Sequence, residues 1–357
     1  MNFVDYFFLV VAFFTLYRLL RFFRFSDLPR IKHTDVSIIV PVRNEANRVK
    51  VLLKSLKGLE KTPMEVIFVD DDSEDGTADL IKSSGFEVIK TKPPPDWLGK
   101  SFACFEGAKR ARGEVLIFID ADVILSPQFL EYLGGKVDDS TVITIQPFHE
   151  VRKIYEHLSL IFNLVSLIGL GVGMSKNPLK IRRGLFGPCI IIPKSLYESI
   201  GGHFSVRSKI VEDMELGILI FKSGYEILSL PHRRLIKYRM YPEGFRFLLF
   251  GWIKNFSRGA VRSSLFGVIQ VLSIIAAYFG LLKGIINPVT PEIRVVFIIC
   301  FAMYLYLFYS LARELGSYTI LDVILLPVHL FFFTLVFTVS IFTSVFGIRV
   351  PWRGRSV

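Results

Sequence analysis

The chain has 357 residues but only three cysteines, Cys104, Cys189 and Cys300, with no CxxC and no paired spacing. That excludes a disulfide scaffold and a thiolate metal site, and fits reduced cytosolic or membrane-buried thiols. The six histidines (His33, His149, His157, His203, His232 and His329) show no metal-ligand spacing. There is no GxGxxG, which argues against a dinucleotide fold of the usual kind, and no GxSxG, which argues against an α/β-hydrolase. Gly99-Lys100-Ser101 imitates the end of a P-loop, but the glycine required five positions before Gly99 is Pro94, so an ATPase is rejected. Neither internal repeats nor low-complexity stretches occur. The N-terminus has no basic region and no small-residue cleavage site, so it reads as an anchor rather than a removed signal peptide.

Charge is also missing from long stretches. Tyr6–Tyr17, Ser263–Leu282, Val295–Ala312 and Val323–Ile348 carry none, which accounts for a hydrophobic content of 52% with 34 Phe. About 20 residues of helix cross a bilayer core, so these runs predict an N-terminal anchor (1–24) and a C-terminal membrane region (263–348) of two to three helices. Arg18, Arg21, Arg24, Arg30 and Lys32 follow the first run and none precedes it. The region after it is therefore expected on the cytoplasmic side of a multi-pass cell-membrane protein. The net charge of +11 suits an anionic lipid surface; without a recognisable binding motif it predicts no nucleic-acid partner. Three C-terminal spans would leave the basic tail (349–357) outside, against Arg349, Arg353 and Arg355. One apolar run is therefore expected to be interfacial or re-entrant, with Pro327 and His329 interrupting the last.

Between the apolar ends, strand-like and helix-like patterns alternate. Val36–Val40, Glu65–Val69, Phe86–Ile89 and Glu114–Ile119 read as strands. Val49, Leu52, Leu53 and Leu56 recur at helical spacing, and Gly76–Ser83 and Ser101–Ala111 read as further helices. The fold class is α/β, a mostly parallel sheet with helices on both faces plus transmembrane helices, the globular part spanning 35–240. Within it, 158–175 is charge-free and expected to lie in the interface or line an apolar groove, and 241–262 reads as an aromatic, basic interfacial collar.

Acidic clusters stand where strands should end: Asp70-Asp71-Asp72-Ser73-Glu74-Asp75, Asp120-Ala121-Asp122 and Glu212-Asp213. Crowded carboxylates repel unless a cation or hydrogen-bond donors offset them, and ligands of such sheets bind beyond the strands' carboxyl ends. Asp120 and Asp122 are spaced to hold a divalent ion bridging a diphosphate. Helix capping explains Ser73 or Asp75 but not three consecutive aspartates, which suit a pocket for a base and ribose. A haloacid-dehalogenase-type phosphatase also carries DxD after a strand, but there it usually opens the domain, whereas here a long strand-and-helix region precedes it.

Four motifs in order resemble family 2 glycosyltransferases of GT-A fold: Pro41-Val42-Arg43-Asn44-Glu45, Val69–Thr77, Asp120–Asp122 and Glu212-Asp213. Trp97–Ser101, Gly201-Gly202-His203, Tyr241–Phe245, Gly251–Asn255 and Trp352–Arg355 resemble the membrane-bound branch that glycosylates apolar lipids, including carotenoid-acid (diaponeurosporenoate-type) and hopanoid-associated enzymes. The Q-x-x-R-W of processive synthases is absent, which favours a single transfer.

The resemblance implies an inverting, metal-dependent transfer from a nucleotide-sugar, most often a UDP-sugar, to a membrane lipid acceptor. Pro41, Arg43, Glu45, Asp70, Asp71, Ser73, Lys100 and Asp120 are the implied donor-site residues, with Glu45 and Asp71 on uridine. Asp122 would bind Mg²⁺ or Mn²⁺, and Asp120 would hold ribose or the metal's waters. Asp213, beside Glu212, would be the general base. Trp252, Lys254, Asn255 and Arg258 are candidates for the diphosphate or the acceptor. The nearest alternatives are a polyprenyl-phosphate sugar synthase and a non-catalytic nucleotide-binding membrane protein.

Overall fold

The computed structural model describes residues 3–25, 35–132, 140–170, 172, 184–209, 211–230, 234–259, 265–288, 290–348, 350–352 and 355–356. Arg30, Lys32, Gly171, Gly173, Ser175, Arg349 and Arg353, on which several expectations rest, lie outside them, as does the side chain of Arg258. The chain divides into two compact units. One comprises Ser26–Phe148 and Arg182–Arg239; the other comprises Met1–Phe25, His149–Ile181 and Met240–Val357.

The first unit is built on a seven-stranded sheet. Its strands in chain order are β1 (Val36–Val42), β2 (Glu65–Asp71), β3 (Glu87–Thr91), β4 (Val115–Ile119), β6 (Thr141–Ile145), β8 (Cys189–Pro193) and β9 (Glu226–Leu230), with short β5 (Val123–Leu125), β7 (Phe148–His149) and β10 (Ile236–Tyr238) outside it. The order across the sheet is β3-β2-β1-β4-β8-β6-β9. β3, β2, β1 and β4 run parallel, β8 is antiparallel to β4 and β6, and β9 is parallel to β6. Successive side chains of β1 alternate between faces, as a strand requires. Ile38, Val40 and Val42 pack with Leu52, Leu53 and Leu56 of α2 (Val49–Lys57). Ile39 packs on the other face with Ala103 and Ala108 of α4 (Gly99–Arg110). Helices α3 (Thr77–Ser83), α5 (Phe129–Tyr132), α7 (Lys194–Ser199) and α8 (Glu212–Lys222) complete the unit. Two of the acidic clusters fall where strands end, at the end of β2 and after β4; the third, Glu212-Asp213, does not end a strand as expected but opens α8, where acids suit the helix N-terminus.

The second unit is helical. Four of its helices are long and apolar enough to cross a membrane, with spans at Asp5–Arg24, Phe266–Ile286, Pro291–Leu315 and Leu326–Val345. They belong to α1 (Phe3–Phe25), α10 (Leu265–Ile286), α11 (Pro291–Leu315) and α13 (Leu326–Val345). Shorter α6 (Leu160–Gly169), α9 (Phe245–Gly259) and α12 (Ile320–Ile324) join them. The interruption expected at Pro327 is absent. The proline sits in the first turn of α13, where its missing N–H has no intrahelical partner to lose and its fixed φ suits the helix. The charge-free stretch expected over 158–175 is realised as α6 after a 3₁₀ turn (Ile154–Ser159).

Buried polar groups tie this unit together. Tyr318 Oη lies 3.0 Å from His149 Nδ1 and accepts from Asn163 Nδ2 at 2.9 Å. His157 Nδ1 is 2.7 Å from Asp322 Oδ1, and His329 Nε2 is 3.5 Å from the same oxygen. Trp252 stacks on Phe162 with ring centroids 4.6 Å apart and donates to Ser159 Oγ.

Candidate active site

The loop after β1 hangs on the turn after β2. Asn44 (φ 51°) donates its backbone N–H to Ser73 Oγ at 3.0 Å and accepts from Glu74 N–H at 2.9 Å. Glu45 N–H donates to Thr77 Oγ1 and Ala46 N–H to Asp75 Oδ2, both at 2.9 Å. Asp70 accepts from the N–H and hydroxyl of Ser73. Of the run Asp70–Thr77, Asp70, Ser73 and Asp75 therefore fold the turn and seat the neighbouring loop. Asp71 stands differently: Arg43 Nη1 lies 2.8 Å from its carbonyl and 3.3 Å from its carboxylate. The first residue of α4 abuts it, since a Cβ on Gly99 would lie 1.7 Å from Asp71 Oδ2. Only glycine lets this helix start so close to the carboxylate.

One residue further, Lys100 Nζ bridges Asp120 Oδ1 at 2.8 Å and Glu212 Oε1 at 3.1 Å. Burial works against this ammonium, but Asp120, Glu212 and Asp213 outweigh it and hold its pKa well above the ordinary lysine value. Pro41, Lys100, Asp120, His203, Glu212 and Asp213 line one open cleft at this end of the sheet. Asp213 receives two backbone donors, Gly187 N–H at 3.0 Å and Met214 N–H at 2.8 Å. A Cβ on Gly187 would come within 2.5 Å of its carboxylate, so the glycine makes room for that bond. Burial, reinforced by Glu212 and opposed by Lys100, raises the Asp213 pKa to about 6. A carboxylate held in orientation and made more basic than usual is suited to accept a proton. His203 is no candidate for that role. It is buried against Tyr197 Oη at 2.9 Å, and burial together with Lys100 lowers its pKa to about 3.

Asp122 is linked to Glu45 through Arg48. Arg48, just ahead of α2, grips Glu45 with Nε at 2.8 Å and Nη2 at 3.0 Å, and reaches Asp122 Oδ2 with Nη1 at 3.1 Å. Burial, together with Asp120 and Glu45 and against Arg48, raises the Asp122 pKa to about 7. Carboxylates two residues apart, with the Asp122 charge penalised by burial, offer the hard oxygens that Mg²⁺ or Mn²⁺ would take. Among the described residues no group of three or more His, Cys, Asp and Glu side chains forms a complete protein cage.

The structure thus brings Pro41, Arg43, Glu45, Asp70, Asp71, Ser73, Lys100, Asp120, Asp122, Glu212 and Asp213 into one unit. Trp252, Lys254 and Asn255 belong to the helical unit. There Trp252 is buried in an aromatic stack and Asn255 donates to Tyr241 Oη at 3.2 Å. Arg48 was not among the residues expected from the sequence. The signal available for it was chemical: so many buried acids need a base.

The model of the family "Glycosyl transferase family 2" matches residues 37–200. A 4,4'-diaponeurosporenoate glycosyltransferase of Staphylococcus aureus (strain USA300) is 31% identical over 341 residues, 90% of this chain and 88% of the relative. The chain belongs to glycosyltransferase family 2. A second 4,4'-diaponeurosporenoate glycosyltransferase, from Staphylococcus haemolyticus (strain JCSC1435), is 34% identical over 233 residues, 63% of this chain and 62% of that one. Among solved structures, the mannosyltransferase PcManGT from Pyrobaculum calidifontis in complex with GDP-Man and Mn²⁺ shares the fold. Its TM-score is 0.54 at 15% identity, covering 95% of this chain and 96% of that one. The sheet order and the membrane helices together make this family 2 enzyme a GT-A glycosyltransferase with transmembrane helices.

Proposed function

We propose that this glycosyltransferase moves one sugar from a UDP-sugar to an apolar lipid, a carotenoid acid or related isoprenoid, with inversion and at the cytoplasmic face of the cell membrane. The observation that carries the reading is Asp213: a carboxylate fixed by two backbone N–H groups, its pKa raised to about 6, in one cleft with Lys100 and Asp120. The acceptor class rests on the diaponeurosporenoate glycosyltransferases' similarity and on the four apolar helices.

In this reading Glu45 and Asp71 meet the nucleoside, with Arg43 fixing Asp71 and Asp70 and Ser73 shaping the turn. Asp122, with Asp120, would hold Mg²⁺ or Mn²⁺, which when bound supplies Lewis-acid neutralisation of the departing diphosphate. Lys100 adds fixed positive charge on that side. Asp213 takes the proton of an acceptor hydroxyl as the oxygen attacks the anomeric carbon from the face opposite the leaving group. The proton ends on Asp213 and the diphosphate leaves with the bonding electrons. An acceptor carboxylic acid arrives ionised and needs less of this help. We further propose that residues 35–240 supply the catalytic part, with 241–262 as interfacial collar.

The test is transfer by the full chain in detergent, screening nucleotide-sugars with Mn²⁺ or Mg²⁺ against a carotenoid acid, an isoprenoid alcohol and a polyprenyl phosphate. Metal-dependent UDP release with a new glycosylated carotenoid acid, identified by mass spectrometry, is expected. Product formed only on polyprenyl phosphate would replace the acceptor assignment. Turnover with no UDP-sugar would overturn the donor assignment.

A further inference from the structure

The cleft carries two cationic bridges. Lys100 joins Asp120 to Glu212, and Arg48 joins Asp122 to Glu45. Each carboxylate of the DxD pair is thus neutralised by a different basic side chain, and each base also holds an acid elsewhere in the site. Arg48 is the tighter clamp. Its side chain is 15% exposed, it meets Glu45 through two nitrogens in the planar fork that guanidinium makes with carboxylate, and its third nitrogen is on Asp122. The residue is fixed by its backbone as well, since its N–H donates to Glu45 carbonyl at 2.8 Å.

We propose that Arg48 is a positioning residue that competes with the divalent cation for Asp122 and so sets the metal affinity of the donor site. A guanidinium cannot lose its proton in a protein, so Arg48 competes for Asp122 as a permanent cation. With Arg48 on Asp122, a bare divalent ion meets a carboxylate already neutralised and a positive charge beside it, so the site attracts it less than a lone carboxylate would. An ion arriving with a diphosphate brings its own negative oxygens and suffers less of that repulsion. Glu45 has the opposite influence: by occupying two of the guanidinium nitrogens, it draws Arg48 away from full pairing with Asp122. Arg48 thereby favours metal arriving with the nucleotide over metal alone.

The inference rests on the proposed metal role of Asp122, and its test reads metal binding without turnover. Mn²⁺ binding to the full chain in detergent is measured by loss of the free-ion EPR signal, with and without UDP, for wild type, R48M and E45Q. R48M keeps the length and apolar stem of the side chain and removes the charge. We expect it to bind Mn²⁺ alone about tenfold or more tightly than wild type, and to narrow the difference between binding with and without UDP. E45Q, which releases Arg48 wholly to Asp122, should weaken binding of Mn²⁺ alone. Unchanged or weaker binding of Mn²⁺ alone in an R48M protein with wild-type circular dichroism and melting would reduce Arg48 to a structural clamp and overturn the proposal. No Mn²⁺ binding by any of the three proteins, even with UDP, would overturn the metal reading and this inference with it. A failure of the acceptor assignment alone would leave both Mn²⁺ measurements as expected.

Discussion

At the residue scale, the chemistry turns on how a carboxylate is held. Asp213 keeps its acceptor capacity because two backbone N–H groups orient it and, among the described residues, no basic side chain forms an ion pair with it; Lys100 pairs with Glu212 instead. Asn at this position is nearly isosteric but cannot take a proton. We expect D213N to abolish transfer to an alcohol acceptor while UDP-sugar affinity stays within a few-fold, as measured by equilibrium binding; loss of donor binding would reassign Asp213 to the donor site. The pH dependence follows from the raised pKa of about 6. Below that pH the group is protonated and cannot accept, so kcat/KM for an alcohol acceptor should rise with pH through about 6 and level off above it. An ionised carboxylic acid acceptor should show a shallower limb. Asp120 and Asp122 were legible in the sequence because carboxylates after a strand are conspicuous by spacing alone; Asp213 was legible as half of an acidic pair, although that pair opens α8 rather than ending a strand. Arg48 was not, because its role depends on the fold bringing residue 48 beside residue 122. Trp252 and Asn255 mark the reverse case: a motif resemblance drew attention to them, but their partners are Phe162, Ser159 and Tyr241.

At the scale of elements, the β2 turn shows why a run of acids resists division into roles from sequence. The exposed Asp75 accepts from Ala46 N–H and from Thr77, and these bonds outweigh burial to hold its pKa below the ordinary value. Its task is to pin the loop carrying Arg43 and Glu45. D75A should therefore cost about 1 kcal/mol of stability and raise the KM for the donor several-fold with little change in kcat, read from steady-state kinetics and thermal unfolding. An equal fall in kcat would place Asp75 at the reacting centre. The parallel strands and their helices were readable because period-2 and helical spacing are local signals. The antiparallel β8 and the parallel pairing of β6 with β9 are long-range pairings that no local pattern specifies. In α1 the anomaly is Arg18. All three guanidinium nitrogens are buried without a hydrogen-bond partner among the described residues, one turn beyond Thr15, which accepts from Gln270. A buried cation without a partner is costly. R18M is expected to stabilise the protein in detergent by about 1–3 kcal/mol, seen as a raised Tm, with Arg21 and Arg24 left to orient the helix. A lowered Tm would mean that Arg18 has a lipid partner in the preparation.

At the scale of the whole molecule, the number of crossings decides where the tail lies. Basic residues crowd the C-terminal part of α1 and the stretch just beyond it (Arg18, Arg21, Arg24, Arg30 and Lys32), the bias the positive-inside rule expects of a cytoplasmic end. Composition then favours a consistent path. The connection from α10 to α11, Asn287–Thr290, carries no Lys or Arg, as an external loop should, and Arg313 lies in the last turn of α11, where that helix would return to the cytoplasm. The remaining question is α13. A proline in the middle of its apolar run would have favoured a re-entrant or interfacial segment. In the structure Pro327 only starts the helix, and the 20 residues that follow from Leu326 carry no charged side chain and reach a mean hydropathy of 2.0, enough to cross. The four spans of the described residues put residues 1 and 357 on the same side, so Arg349, Arg353 and Arg355 would stand against the positive-inside rule; the rule is a bias summed over the loops, and the cluster in the C-terminal part of α1 and just beyond it (Arg18, Arg21, Arg24, Arg30 and Lys32) is larger. The expected outcome is that single cysteines at Thr290 and Val357, in a background with the three native cysteines replaced, react with a membrane-impermeant maleimide on intact cells, whereas one at Ser317 reacts only after permeabilisation. Protection of the Val357 cysteine alone would show that α13 does not cross, and that the tail arginines hold the last segment at the cytoplasmic face.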